Sequence, residues 1–332
     1  MRIVRQMLIL SFLVLWACQG PEDSTVVIPE RTFRWNDLSR PVSFPGPLTE
    51  SDSVHDRRSL QIVANLANDE LDSIRSAAND SVFVAVAETP YMSQLEGMAQ
   101  LEAWRASLGE VRYEAFNVRG TYNQGSNSHV SYVFGRWVTE SPEVPDHFIV
   151  FTVAWNSAGK ITGIALFKTG WPRDSLRPIK PSRTPEKFHF YSATTLGTDS
   201  SAVKAMDFTE AIYRNNLRMQ QHLLADSVEY HDGQGEYGYY GRAQVLDLLD
   251  HRPKDHTHHL VRYTAVVPWT MLRFNRDMAV VVSYEDWRDN QRGTSEVYSF
   301  CRLYFFDEQG KINNFVFTRR RVHPVGRYPL VN

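Results

Sequence analysis

The sequence predicts an α+β fold in which one helix-and-sheet unit is built twice. Three observations support this prediction: helical periodicity precedes long alternating strands, this order occurs twice, and short landmarks recur at a nearly constant spacing. Apolar residues make up 42% of the 332 residues and charged residues 22%, the balance of an ordinary globular protein. A net charge of −2 argues against nucleic-acid partners, and two cysteines exclude a disulfide scaffold.

The first 17 residues are predicted to be a signal peptide. Two arginines precede an apolar run at 7–16, which has the length of a signal h-region and is short for a transmembrane helix. Residues 15–18 read LWAC, which resembles the lipobox of bacterial lipoproteins. The resemblance implies cleavage before Cys18, acylation of this cysteine and anchoring to a membrane. Gln19, the residue after this cysteine, resembles the sorting signal of outer-membrane lipoproteins in Gram-negative bacteria. Whether the protein faces the periplasm or the cell surface is left open. Cys301 would then be the one remaining thiol, and its apolar setting predicts a buried side chain.

Proline spacing divides the rest of the chain. Residues 18–54 contain five prolines and are predicted to be a tether, and residues 172–199 contain four and are predicted to be a linker. The predicted domains are therefore 55–171 and 200–322, followed by a tail at 323–332.

The two predicted domains share four landmarks in the same order. Their offsets are 146, 144, 150 and 151 residues, so only loop-sized slips separate them. The pairs are NDSV at 79–82 with ADSV at 225–228, GMAQL at 97–101 with GRAQV at 241–245, HVSYVFGRW at 129–137 with AVVVSYEDW at 279–287, and GKI at 159–161 with GKI at 310–312.

Each domain is predicted to contain the same elements in the same order. A first helix ends in an Asn/Asp turn, a second short helix follows, and then come a short strand and a third helix. Long alternating strands complete the domain, and a Gly-Lys turn opens the last of them. The predicted starts are the turns at 68–69 and 215–216, the second helices at 71 and 217, and the third helices near 97 and 241.

This order resembles the NTF2-like superfamily, and its SnoaL-like branch in particular. The resemblance covers about 200–321, through FTEAIYRNNLRMQQHLLADSVEYHDGQG, YGRAQVLDLL and DEQGKINNFVF, while 55–171 match mainly by their repeat relation. It implies two cone-shaped domains, each a curved antiparallel sheet packed on about three helices around a pocket. Family members are often dimers through the sheet, so the tandem pair is expected to form an internal pseudo-dimer.

Asp232 is the first candidate catalytic residue. In ketosteroid-isomerase-like members the general base lies at the matching point, and a carboxyl group in an apolar cone has a raised pKa suited to proton transfer. The oxyanion-stabilising tyrosine of those enzymes would fall at Phe208, which has no hydroxyl, and Tyr213 is the nearest donor on that helix. The alternative is that Asp232 is a turn residue that accepts backbone N–H bonds before Gly233.

His259 is the second candidate. It ends the run His256–His259 at the start of a strand, and its position resembles the acid/base histidine of dehydratases such as scytalone dehydratase. Three imidazoles in this run could instead bind a metal, but neighbouring residues of a strand point to opposite faces. A polar strand start is the third alternative. The prediction is therefore no metal site and no cofactor.

Aromatic residues of the second domain are predicted to line a pocket for a flat apolar ligand. The alternative is an aromatic core and sheet interface. The predicted ligand-binding residues are Tyr230, His231, Trp269, Tyr284 and Trp287, and Glu285 is placed near the pocket mouth.

The leading hypothesis is a membrane-anchored lipoprotein that binds a small apolar ligand or acts as an accessory protein with an envelope partner. The first alternative is an isomerase or dehydratase that uses Asp232 and His259. The second is a structural envelope lipoprotein without a pocket. No P-loop, dinucleotide-binding, GxSxG or HExxH motif is present in the sequence.

Overall fold

A computed structural model describes most of both predicted domains. The described stretches are 33–34, 47–85, 92–139, 146–171, 194–197, 199–231, 237–250, 258–273, 276–289 and 296–322. Within them, no helix has the length and apolar character needed to cross a membrane. The predicted signal peptide, Cys18, most of the tether and most of the linker lie outside these stretches.

The first half of the structure comprises residues 33–171. Its elements are β1 (Phe33–Arg34), β2 (Pro47–Glu50), α1 (Ser53–Ala67), α2 (Leu71–Ala77), β3 (Ala78–Ala85), β4 (Met92–Ser93), α3 (Gln94–Ser107), β5 (Val111–Asn123), β6 (Ser128–Thr139), β7 (Asp146–Trp155) and β8 (Ile161–Trp171).

The second half comprises residues 194–322 and repeats the order found from β2 onwards. Its elements are β9 (Thr194–Leu196), α4 (Asp199–Tyr213), α5 (Leu217–Leu223), β10 (Leu224–His231), β11 (Tyr237–Gly241), α6 (Arg242–Asp250), β12 (His258–Arg273), β13 (Arg276–Asp289), β14 (Glu296–Phe306) and β15 (Ile312–Val322). Each half therefore places helices before a run of long strands, which confirms the predicted α+β class.

The strands form a sheet path that runs through both halves. Its order is β1-β2-β5-β6-β7-β8-β15-β14-β13-β12-β9, and the neighbours on it are antiparallel. Off this path, β3 pairs in parallel with β8, and β10 pairs in parallel with β15, each with a register shift. The halves meet where Lys168 of β8 pairs with Arg319 of β15.

Two short strands lie in segments whose prolines predicted irregular structure. Pro47–Glu50, in the predicted tether, pairs with β5, and Thr194–Leu196, in the predicted linker, pairs with β12. Leu48 and Thr49 are buried against the sheet. Pairing with an existing sheet edge orders such short pieces, and their own sequence carries too little periodicity to reveal it.

The last hairpin of each half closes with the same turn. The Oδ1 atom of Asn156 accepts two backbone N–H bonds, at 2.9 and 3.0 Å, and the Oδ1 atom of Asp307 accepts two at 2.8 and 2.9 Å. Gly159 and Gly310 both have φ of 69°, where a side chain would be strained. The predicted Gly-Lys turns are confirmed.

The turn between the first two helices also repeats. Asp69 and Asn215 have φ of 66° and 50°, the left-handed conformation that short polar side chains tolerate. Helices α2 and α5 then begin at the predicted residues 71 and 217. Helix α1 starts beyond Asp52, whose carboxylate accepts the backbone N–H of His55 at 2.8 Å.

Alternation along the strands separates two apolar layers. In the first half, one layer lies under the helices and includes Val133 and Phe151. The residues on the other side, including Tyr132, Phe148 and Val150, join the apolar core of the second half. The parts of the sheet in the two halves therefore pack against each other through the sides that their helices leave uncovered, and we call each of these sides the interface side.

Trp269 lies in this interface. Its indole ring makes an edge contact with the ring of Tyr132 at a centroid distance of 6.5 Å, and only 3% of the residue is exposed. Cys301 belongs to the same apolar core and is fully buried, as its apolar setting predicted.

Candidate functional site

A buried polar cluster lies on the helix-facing side of the second-half sheet. It consists of Thr209 on α4, Ser283 and Glu285 on β13, and Arg302 and Tyr304 on β14, and we call it the Glu285 cluster. All five residues are buried, and Glu285 has no exposed surface. Buried charges are uncommon unless they are paired, so this cluster is the candidate site of the second half.

Strand register brings these residues together. Ser283 and Glu285 are two residues apart on β13 and so point to the same side of the sheet. Ser283 pairs with Arg302 on β14, and Tyr304 lies two residues further on that strand. Helix α4 covers this side, where it contacts β12 and β13 and places Thr209 over the carboxylate.

The side chains of the cluster are connected through Glu285. Its Oε1 atom accepts hydrogen bonds from Ser283 Oγ at 2.8 Å and from Thr209 Oγ1 at 3.1 Å. Its Oε2 atom lies 3.2 Å from Arg302 Nη1. Tyr304 OH lies 2.6 Å from Thr209 Oγ1, and because the threonine already donates to Glu285, the tyrosine donates to the threonine.

The charges of the cluster are balanced internally. Burial alone would lower the pKa of Arg302, but the negative charge of Glu285 and the contact with Tyr304 outweigh it and raise that pKa. Burial raises the pKa of Tyr304 to about 12, so its hydroxyl stays protonated. Glu285 thus faces one cation and two hydroxyl donors, all from the protein itself.

Aromatic rings fill the space around the cluster. Phe208 packs on Tyr304 at 6.0 Å and on Phe315 at 5.5 Å between ring centroids. Tyr230 packs on Phe315 at 4.9 Å. The guanidinium of Arg302 lies 4.7 Å from the ring centre of Phe317. The region between α4 and the sheet is therefore occupied by the chain's own side chains.

The first half has no such cluster at the matching positions. When the halves are aligned by their repeated turns and strand registers, these positions hold only apolar side chains or glycine: Val63, Val133, Gly135, Phe151 and Val153. Gly135 replaces Glu285, and the ring of Tyr113 lies where a side chain at 135 would project, 2.4 Å from its Cβ position. The Glu285 cluster is thus particular to the second half.

Two predicted ligand-binding residues lie at the end of β10. Tyr230 is buried within the aromatic rings described above. His231 is also buried, with its Nε2 atom 3.5 Å from Glu229 Oε1. Asp232, the next residue and the predicted general base, lies outside the described residues.

Among the remaining predicted residues, the side chains of Trp269 and Tyr213 are described. Trp269 lies on the interface side of the sheet, and Tyr213 is the last residue of α4 and is more than one third exposed. For His259, Tyr284 and Trp287 the backbone alone is described: they pair with Arg288, with Cys301 and with Tyr298 respectively.

Thr209 and Arg302 were not among the sequence candidates. The sequence does contain a signal that could have found Arg302. Glu285 and Arg302, which have opposite charges, lie inside two strongly apolar strands, VVVSYEDW and YSFCRLYFF. Buried charges need partners, so two such strands are expected to be neighbours with their charges on one side.

No family model and no curated protein matches the chain. Solved structures match part of it at 16% identity. Three of them are a proposed ketosteroid isomerase from Kribbella flavida (TM-score 0.31, 41% of this chain and 91% of that one) and proposed polyketide cyclases from Pseudomonas putida (TM-score 0.27, 35% and 89%) and Xanthomonas campestris (TM-score 0.27, 37% and 90%).

Proposed function

We propose that this protein is a membrane-anchored lipoprotein with two tandem NTF2-like domains, and that it acts as an accessory, partner-binding protein. The repeated element order, the matching turns at Gly159 and Gly310, and the parallel additions of β3 and β10 support the tandem arrangement. The lipobox-like sequence before Cys18 supports the anchor.

The filled interior of the second half favours an accessory role. An acid/base enzyme needs a proton-transferring group that a substrate can reach, and a ligand-binding cone needs empty volume. In the described interior the carboxylate of Glu285 is held by Ser283, Thr209 and Arg302, and the rings of Phe208 and Phe315 pack against each other under α4.

A cavity-forming variant tests the filled interior. Phe208→Ala removes a fully buried ring and is expected to create an apolar cavity that takes up small aromatic molecules such as benzene. The full chain in non-ionic detergent is titrated with these molecules and followed by NMR. The wild type is expected to show no interior binding, Phe208→Leu little, and Phe208→Ala saturable binding. Saturable binding by the wild type, displaced by larger apolar ligands, would instead favour a small-ligand-binding function.

Turnover assays with Asp232→Asn address the enzymatic alternative. The accessory role predicts that wild type and variant are equally inactive on isomerase and dehydratase substrates. An activity present in the wild type and lost in the variant would favour the isomerase or lyase. Absence of any partner after crosslinking in intact cells, together with the filled interior, would favour the structural envelope role.

The anchor has its own test. Cells supplied with labelled palmitate are expected to label the wild type and Cys301→Ala but not Cys18→Ala, because Cys301 is buried in the core and serves as the matched control. Retention of residues 1–17 in the mature chain, or equal labelling of all three proteins, would contradict the proposed anchor.

A further inference from the structure

Two imidazoles and a carboxylate converge in the first half, away from the Glu285 cluster. Asp52 caps the start of α1, His55 lies in the first turn of that helix, and His129 lies near the start of β6. One possible ligand atom from each residue lies within 4.8 Å of those of the other two. None of these residues was a candidate in the sequence.

Close backbone approach brings the helix start onto the sheet. The backbone N–H of Ser51 donates to Gly120 O at 2.9 Å. A Cβ atom at Gly120 would lie 2.3 Å from Asp56 Oδ1 and 2.7 Å from Ser51 Cβ, so the contact requires glycine. Ser131 Oγ then donates to Asp56 Oδ1 at 2.7 Å, which ties the first turn of α1 to β6 two residues from His129.

The two imidazoles are held in a defined arrangement. Their rings stack with centroids 3.9 Å apart and planes 10° apart. His55 Nδ1 lies 2.9 Å from both carboxylate oxygens of Asp52, and His129 Nδ1 lies 2.9 Å from Ser51 Oγ. The rings of Tyr122 and Trp155 flank the pair, at 4.7 Å from His129 and 5.8 Å from His55.

The cluster is accessible to a metal ion from solvent. Half of the Asp52 side chain and 15% of the His55 side chain are exposed, which opens the cluster to solvent.

We propose that Asp52, His55 and His129 bind a divalent transition-metal ion, with Zn²⁺ as the best-suited species. Imidazole nitrogens favour zinc, copper and nickel over calcium or magnesium, and a carboxylate completes a three-ligand set with one open position. Ligand atoms around a tetrahedral zinc are about 3.3 Å apart. The ligand atoms now lie within 4.8 Å of one another, so binding requires the two imidazole rings to turn out of their stacked arrangement until both nitrogen lone pairs face the ion.

Zinc binding by the untagged full chain in detergent, measured by competition with a chromophoric chelator, tests the site. The wild type is expected to bind one Zn²⁺ per chain, and Co²⁺ in its place should show the visible absorption of a four-coordinate ion. Loss of one ligand is expected to weaken binding at least about 10-fold, since even mutations of supporting residues around a metal cost about that much.

Three variants and one control separate the site from other histidines. His55→Gln and His129→Gln each remove one imidazole, and Asp52→Asn removes the carboxylate while asparagine preserves the helix cap. His222→Gln is the matched control, because this histidine is exposed on α5, and it should bind zinc as the wild type does.

Unfolding midpoints measured with a chelator present identify the variants that remain folded. If a histidine variant does not fold, Asp52→Asn still tests the site. Absence of zinc binding by the wild type at 1 mM metal, taken as about the weakest affinity of interest, would overturn the proposal. So would equal binding by all four variants, or binding that is lost only when His256 and His258 are replaced.

Discussion

The Glu285–Arg302 pair provides the sharpest test of the described interior. Glu285 has no exposed surface, Arg302 is 4% exposed, and their charged atoms lie 3.2 Å apart. Replacing one partner leaves the other charge buried without its counter-ion, which costs about 3–5 kcal/mol. Against a typical free energy of unfolding of about 5–15 kcal/mol, Glu285→Gln or Arg302→Met alone should remove a large part of the stability.

The double variant should be much less destabilised than the sum of the single variants. With both charges gone, no unpaired ion remains, and replacing a buried pair by uncharged side chains of similar volume is often close to neutral. We therefore expect a coupling free energy of at least about 2 kcal/mol, in the range measured for directly contacting residues.

Urea unfolding of the full chain in non-ionic detergent, followed by tryptophan fluorescence, measures all four free energies. Arg214→Gln is the control, because Arg214 is 71% exposed and lies 3.5 Å from Glu210, and its loss should cost less than about 1 kcal/mol. Additive single-variant costs, or an Arg302→Met as mild as the control, would refute the reasoning.

Three further predictions concern other parts of the fold, each measured as a free energy of unfolding. Trp269→Ala should cost about 3–5 kcal/mol because it empties the interface between the halves, whereas Leu95→Ala, at an 82% exposed position, should change little; equal costs would contradict the interface. Gly159→Ala should cost about 1–2 kcal/mol because φ is 69°. Gly241 is not among the glycines with positive φ, and a Cβ there would meet only Gln244 Oε1, at an ordinary 3.7 Å, so Gly241→Ala should cost less than about 1 kcal/mol. Burial raises the pKa of Asp56 from 3.8 to about 7, so the protonated carboxyl group contributes its full stability below pH 3.8, and this stability is lost as the pH rises through 7. Relative to Asp56→Asn, with a chelator present, the free energy of unfolding of the wild type should fall by up to about 4 kcal/mol between pH 4 and 8. A difference between the two proteins that does not change with pH would count against the raised pKa.

Local features of the fold were predictable from the sequence because they depend on neighbouring residues. The Asn/Asp turns, the Gly-Lys turns and the starts of α2 and α5 each follow from the chemistry of two to four consecutive residues. The order of helices and strands followed from periodicity, and the recurrence of landmarks indicated the same order in both halves. Strands β2 and β9 were not predicted, because each is ordered only by pairing with a longer strand, β5 or β12.

The interior of the second half depended on tertiary structure. Nothing local distinguishes an inward Glu285 from an exposed one at the end of a strand. The register between β13 and β14 places Ser283 opposite Arg302, and α4 adds Thr209 from 76 residues away in the chain. The register also places Trp269 on the side opposite this cluster, against Tyr132, whereas aromatic composition alone suggested a pocket lining.

By itself, the sequence determined the α+β class, the repeated order of elements and the turns that close them. Only the tertiary structure decided which polar side chains meet. Gly120 lets α1 approach β5 closely enough to bring His55 onto His129, 74 residues away in the chain. Periodicity assigns a residue to an element and a side, but contacts between distant elements depend on register and backbone approach, which short-range patterns do not contain.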